Sequence, residues 1–257
     1  MTSQDPLEET LDPQDWDALR ALGHRMVDDA LTHLQTVRER PIWRPIPADV
    51  KAHLKQPAPI EPQGADQAYQ DFLDNVLPHP MGTTHPRFWG WVIGTGTPFG
   101  ALAEMLAATL NPNLGGGDHV ANYVELQVLD WCKEMLGFPP EASGLLVSGG
   151  SMANLVALTV ARNTQAGFDI RAQGTYGSPR RLMVYGSVEM HSCIEKAVEL
   201  MGLGEDSLHQ IPVNADFQID VAALEVAIKT DRAAGHRPIA LIGNAGTVNT
   251  GAIDPLD

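Results

Sequence analysis

Four small residues, Ser148-Gly149-Gly150-Ser151, follow a short apolar run and precede a helical pattern. Two adjacent glycines let the backbone turn sharply and let a ligand approach it closely. Ser151 is placed to cap the helix that starts there. Free N–H groups at a helix start, together with the helix dipole, attract an anion. The stretch therefore reads as a phosphate cradle. An ordinary strand-to-helix turn, with glycines for geometry alone, carries the same signature.

Two further polar turns offer chemistry. His191 ends Gly186-Ser187-Val188-Glu189-Met190-His191, just before the capping-box pattern Ser192-Cys193-Ile194-Glu195. A flat imidazole held at a helix start suits stacking on an aromatic ligand. The plainer reading is a loop histidine with no such role. Thr247 offers a hydroxyl within Gly243–Pro255, and Asp254-Pro255 reads as a structural close to that turn. The five lysines, Lys51, Lys55, Lys133, Lys196 and Lys229, lie in amphipathic helix or linker contexts, and none follows a strand as a Schiff-base lysine should. Other motifs fall short. Gly149-Gly150-Ser151-Met152-Ala153 has Ala where a nucleophile elbow needs its last Gly. Gly94-Thr95-Gly96-Thr97-Pro98-Phe99-Gly100 has its third glycine one place late for a dinucleotide fingerprint. The nine histidines show no compact metal-ligand spacing, so no metal site is expected.

The elements that must position these residues follow from periodicity. Trp16, Leu19, Leu22, Met26, Ala30, Leu34 and Val37 define one long helix over 13–39, with Asp12-Pro13 as its start. Residues 41–62 are proline-rich and read as an extended arm on another surface or as a plain connector. A short helix is expected near 65–76, and an aromatic loop at His79–Trp91, where large rings line a pocket or fill a core. Pro98–Leu110 and His119–Leu136 are helical, the second apolar on more than one side and so expected to be buried between layers. From Gly144 the pattern alternates. Strands are expected at 145–148, 181–185, 208–213 and 238–243, with helices at 151–166, 192–201 and 221–234 between and after them. This predicts a mostly parallel α/β sheet, with ligands beyond the carboxyl ends of its strands.

With 257 residues, 44% of them hydrophobic, the chain can build one large domain or somewhat more. A net charge of -15 argues against nucleic-acid and anionic-membrane partners. Only Cys132 and Cys193 occur, so no disulfide framework is expected and a reducing cytoplasm fits. The first residues show neither a basic region nor an apolar run, and no signal peptide or membrane span is expected.

Taken in order, several stretches resemble the pyridoxal-phosphate-dependent decarboxylases of the aromatic-amino-acid, glutamate and diaminobutyrate group. They are Arg40-Pro41-Ile42-Trp43, Thr84-His85-Pro86-Arg87-Phe88, Ser148-Gly149-Gly150-Ser151-Met152-Ala153-Asn154, Glu189-Met190-His191-Ser192 and Gly246–Pro255. The resemblance implies the aspartate-aminotransferase-like fold type I, with 1–85 as a helical segment and dimerisation arm and 86–257 as an incomplete cofactor-binding large domain. It implies a homodimer, pyridoxal 5'-phosphate as cofactor and a small amino-acid substrate. Gly149, Gly150 and Ser151 would hold the cofactor phosphate. His191 would stack on the pyridine ring and, as the catalytic candidate, assist protonation of the product carbanion. Thr247 would lie beside the cofactor, although Val248 stands where many members have a second threonine. Phe88, Trp91 and Thr95 would line the substrate side. In this family the aspartate facing the pyridine nitrogen and the Schiff-base lysine lie beyond the Gly-Ala-x-Asp-Pro turn, so the 257 residues read as an N-terminal portion with an open sheet edge that does not decarboxylate by itself. A lyase or aminotransferase of the same fold and a non-catalytic phosphate-binding or dimerising module are the other readings.

Overall fold

The computed structural model describes residues 12–176, 178 and 180–256. It divides into two compact units, one ending at Asn111 and one beginning at Pro112.

The first unit is helical. Helix α1 spans Trp16–Gln35, and Asp15 caps it by accepting from the N–H groups of Asp17 and Ala18. The start is thus three residues later than the Asp12-Pro13 expectation, because the Asp15 carboxylate satisfies the first free donors. A 3₁₀ turn follows at Val37–Glu39. Within the segment expected to be extended, Ala48–His53 forms helix α2, entered from Pro47 and anchored by buried Val50. Helix α3 (Ala65–Asp71) runs into a π-helical turn at Phe72–Val76. Its buried Tyr69 donates to Asp29 of α1 at 2.8 Å and carries the Arg25 guanidinium over its ring. Helix α4 covers Pro98–Leu110 as its sequence pattern indicates, with the Thr97 hydroxyl accepting from Gly100 N–H.

The second unit is built on a three-stranded parallel sheet of order β2-β1-β3, formed by Leu182–Ser187 (β1), Leu208–Ile211 (β2) and Arg237–Ile242 (β3). Strand β1 is central and buried throughout. Its side chains alternate, as strand geometry requires. Leu182 and Val184 face helices α6 (Gly150–Gln165) and α8 (Cys193–Leu200), where they pack with Leu158, Ile194, Ala197 and Val198. Met183 and Tyr185 face helix α9 (Val221–Ala233), where they meet Ile211, Ile219 and Leu224. The chain leaves β1 for β2 on one side and returns across β1 to β3 on the other. Crossovers of one hand therefore place α8 and α9 on opposite faces. A single helical turn, α7 (Ile170–Gln173), buries Ile170 beneath α6.

Two expectations are corrected here. Residues 145–148 form no strand: Leu145 and Leu146 are more than half exposed, and the Leu146 N–H donates to the Glu125 carboxylate instead of a ladder. An apolar run becomes a strand only where a neighbour supplies the other half of each hydrogen bond. Helix α5 (Val120–Leu136) buries none of its side chains, and Val120, Trp131, Met135 and Leu136 are exposed. The sheet's faces are covered by α6 and α8 on one side and by α9 on the other, which leaves α5 outside both buried clusters.

One polar group is built into the α9 face. The Tyr185 hydroxyl donates to buried Asp231 at 2.6 Å, and the His209 ring meets the Tyr185 ring edge-on. Burial first, and the Asp231 carboxylate second, raise the Tyr185 phenol above its usual value near 10. The folded protein thus holds this proton at a pH where the unfolded chain releases it. The resulting stability is whole below about pH 10 and is lost as pH rises further. Tyr185→Phe leaves a buried carboxylate short of its donor, and we expect it to cost about 1–3 kcal/mol in urea unfolding at neutral pH. The variant's stability should also decline less above pH 10 than that of the wild type.

Candidate functional site

The carboxyl ends of β1 and β3 point the same way, so the turns leaving them lie at one end of the sheet. The first element there is the start of α6. The helix begins at Gly150 with Gly149 as its N-cap, and no side chain caps it. Ser151 is thus inside the helix and does not cap it, since the turn is completed by the two glycines before it. The first N–H groups of α6 have no intrahelical acceptor. Apart from their chain neighbours and the helix's own backbone, no heavy atom lies within 4 Å of where a side chain would begin at Gly149 or Gly150. The turn is therefore an open cradle of backbone donors at the positive end of a sixteen-residue helix, which is the arrangement an anion requires.

The second element leaves β1. Gly186 permits close packing there, because a β-carbon at that position would sit 2.6 Å from Met190 Sδ. Met190 N–H donates to Ser187 O, and the chain turns to present His191. The expected capping box does not form, as the Ser192 side chain makes no cap bond. The imidazole takes that place: Cys193 N–H donates to His191 Nδ1 at 3.1 Å. This bond fixes the ring, and with Nδ1 accepting, the neutral imidazole carries its proton on Nε2. His191 is exposed, so one face of the ring is available to a ligand.

α6 and α8 meet at their starts. Asn154 Nδ2 donates to Gly150 O at 2.9 Å and to Cys193 Sγ at 3.5 Å. The phosphate-type turn and the residue that fixes His191 are thus joined through one side chain. Asn154 belongs to the Gly-Gly-Ser-Met-Ala-Asn motif, but sequence reasoning gives it no role of its own. The available signal is an asparagine in a helix interior, where its propensity is poor unless the amide has partners.

The third element follows β3. Asn244 Nδ2 donates to Ser187 Oγ at 3.2 Å, tying this turn to the end of β1. Buried Asp254 accepts from the N–H groups of Ile219 (2.7 Å) and Asn244 (2.8 Å) and from Asn244 Nδ2 (3.0 Å). The structural reading of Asp254 stands, with the aspartate closing a loop rather than lining a site. Inside that loop Thr247 is buried, and its hydroxyl pairs with Thr250 Oγ1 at 2.7 Å.

Phe88, Trp91 and Thr95 lie in the first unit. The Phe88 and Trp91 rings stand 6.1 Å apart, and Thr95 Oγ1 donates to Gly96 O. Their turn is fixed by buried His85, whose Nδ1 accepts from Arg87 N–H while Phe88 N–H returns to His85 O. Among the described residues no group of three or more His, Cys, Asp or Glu side chains is arranged to hold a metal ion, and no helix is long and apolar enough to cross a membrane.

Comparison with known proteins identifies the family. A model of the pyridoxal-dependent decarboxylase conserved domain matches residues 47–257. The aromatic-L-amino-acid decarboxylase of Bacillus atrophaeus is 35% identical over 243 residues, covering 93% of this chain and 48% of that protein. Tryptophan decarboxylase 2 of Oryza sativa subsp. japonica is 29% identical over 265 residues, covering 97% of this chain and 51% of that protein. The chain thus spans about half the length of these relatives. Among solved structures, Catharanthus roseus tryptophan decarboxylase in complex with L-tryptophan superposes with a TM-score of 0.82 at 26% identity, over 96% of this chain and 53% of that one.

The open cradle predicts opposite effects on stability and binding. Gly150→Ala places a methyl group in the anion space but favours the helix by about 0.5–1 kcal/mol. We expect its melting temperature to hold or rise while its affinity for inorganic phosphate, followed by calorimetric titration, falls about tenfold. Asp254→Ala should lower stability by about 2–4 kcal/mol in chemical denaturation, because three donors lose their acceptor.

Proposed function

The chain belongs to the pyridoxal-dependent decarboxylase family, and from that premise we propose that it is part of an enzyme that removes the carboxylate of an aromatic L-amino acid. The observation that carries the reading is the uncapped α6 start with its open glycine turn, joined through Asn154 to the fixed His191. The family's cofactor is pyridoxal 5'-phosphate, and these residues fit it. The N–H groups of Gly150 and Ser151, with Gly149 opening the turn, would hold the phosphate. The His191 ring would lie against the pyridine face, and buried Thr247 would border it. When bound, the cofactor supplies an electron sink for the pair left as the carboxylate departs.

The remaining work falls to the chain's own groups. The Cys193 N–H keeps His191 Nδ1 occupied as an acceptor, so the proton that His191 can deliver is the one on Nε2. Within the first unit the Phe88–Trp91 ring pair is a flat apolar surface of the kind an aromatic side chain packs on. Relatives named as aromatic-amino-acid and tryptophan decarboxylases support that substrate class. We also propose a homodimer, with residues 1–85 contributing an arm.

The Schiff-base lysine, on this reading, is not among the five in the chain. Lys133 is held by Asp130 and by the carbonyls of Pro140 and Ala142, and Lys229 pairs with Glu225. Lys51 and Lys55 are exposed in the first unit, and Lys196 lies on exposed helix surface. None ends a strand. The 257 residues alone should therefore bind the cofactor reversibly without decarboxylating at a useful rate. With stoichiometric pyridoxal 5'-phosphate, a saturable absorbance change should appear, and borohydride followed by peptide mass analysis should find no pyridoxyl-lysine. Absence of saturable binding would overturn the site. A pyridoxyl group on Lys196 would overturn the lysine assignment.

A further inference from the structure

We infer that Asn154 is a positioning residue that sets where His191 stands relative to the phosphate turn, an inference that rests on the proposed cofactor site. The α6 start has no side-chain cap, and the α8 start lacks the capping box its sequence suggests. Neither turn is locked by its own serine. The side-chain bond that spans them is made by Asn154, which donates to Gly150 O within its own helix and to Cys193 Sγ across the interface.

Cys193 is the residue whose N–H occupies His191 Nδ1, and its side chain is nearly fully buried. A chain of three contacts therefore runs from Gly150 through Asn154 and Cys193 to His191. The packing around it is apolar: Leu155 and Leu158 of α6 lie against Ile194 and Ala197 of α8. Apolar contacts of this kind hold the helices together but leave sliding along their axes weakly specified, because dispersion is non-directional. A directional amide bond at the helix starts is what fixes the register there. Asn154 is half-buried and one turn into the helix, and its amide is engaged by Gly150 O and Cys193 Sγ. It acts on the ligand through its neighbours.

This role separates from simple stability in three ways. Asn154→Ala should speed labelling of Cys193 by a thiol reagent under native conditions about tenfold. It should likewise speed exchange of the Cys193 amide hydrogen, since the thiol loses its donor and the turn that holds the N–H on His191 Nδ1 is loosened. Affinity for pyridoxal 5'-phosphate should fall about tenfold, whereas affinity for inorganic phosphate, which needs only the α6 turn, should change no more than about twofold. The induced circular dichroism of bound cofactor should weaken with it. Cys193→Ser keeps an acceptor for the Asn154 amide and should stay near wild type in cofactor affinity and amide exchange. This second variant covers the case in which Asn154→Ala does not fold.

Unchanged labelling and exchange in Asn154→Ala would overturn the inference, as would equal losses of phosphate and cofactor affinity. Loss of cofactor binding in Cys193→Ser equal to that of Cys193→Ala would also overturn it. If the wild type binds no cofactor while Asn154→Ala still loosens Cys193, the proposed function falls and the link between the turns stands.

Discussion

The second unit depends on the burial of β1 on both faces. Its six residues are closed off from water, and their alternation sends Leu182 and Val184 to one layer and Met183 and Tyr185 to the other. A strand in that position cannot slip by one residue without exchanging its two side-chain sets. The register against β2 and β3 is fixed accordingly, from Val184 opposite Leu208 to Gly186 opposite Ile242. Because all three strands run parallel, fixing β1 also fixes the end at which their turns emerge. His191 stands four residues beyond β1, and Thr247 five beyond β3.

Around that fixed end, polar bonds do what apolar packing cannot. Asn244 reaches Ser187, Asp254 gathers three donors, and Cys193 gives its N–H to His191. Each is directional, and each joins a turn to something more rigid than itself. The α6 start is the exception, with free N–H groups and no side chain to receive them. An uncapped helix start is unfavourable unless water or a ligand supplies the acceptor. Helix α5 also begins without a side-chain cap, so it is the open glycine turn beside the satisfied turns at this end of the sheet that sets the candidate anion site apart.

Much of this was legible in the sequence. The strand–helix alternation after Arg180 shows as runs such as Leu182-Met183-Val184-Tyr185 and Ile239-Ala240-Leu241-Ile242, followed by glycines and polar turns, and the ladder forms where those runs lie. The glycine turn at 149–150 and the histidine before α8 were also readable, because glycine pairs and cap positions are local properties. Residues 145–148 misled for the opposite reason. Leu145-Leu146-Val147 has the composition of a buried strand, yet its backbone is turned toward Glu125 and not toward a neighbouring strand. Helix α5 carries apolar residues on several sides and buries none of them. Burial depends on a partner layer, and no residue encodes its partner's position by itself.

The sequence by itself determined the local elements: which segments turn, which alternate, and which ordered motifs match the decarboxylase family. The tertiary structure alone decided how their side chains are engaged. Ser151 and Ser192 were both placed by sequence to cap helices and neither does, because Gly149 completes one turn and the His191 ring takes the cap bond of the other. Asn154 gained its place in the site from the approach of α8, thirty-nine residues away in the chain. Local rules fix backbone conformation within a few residues. A hydrogen bond between distant side chains exists only after the packed layers have set the distance between them.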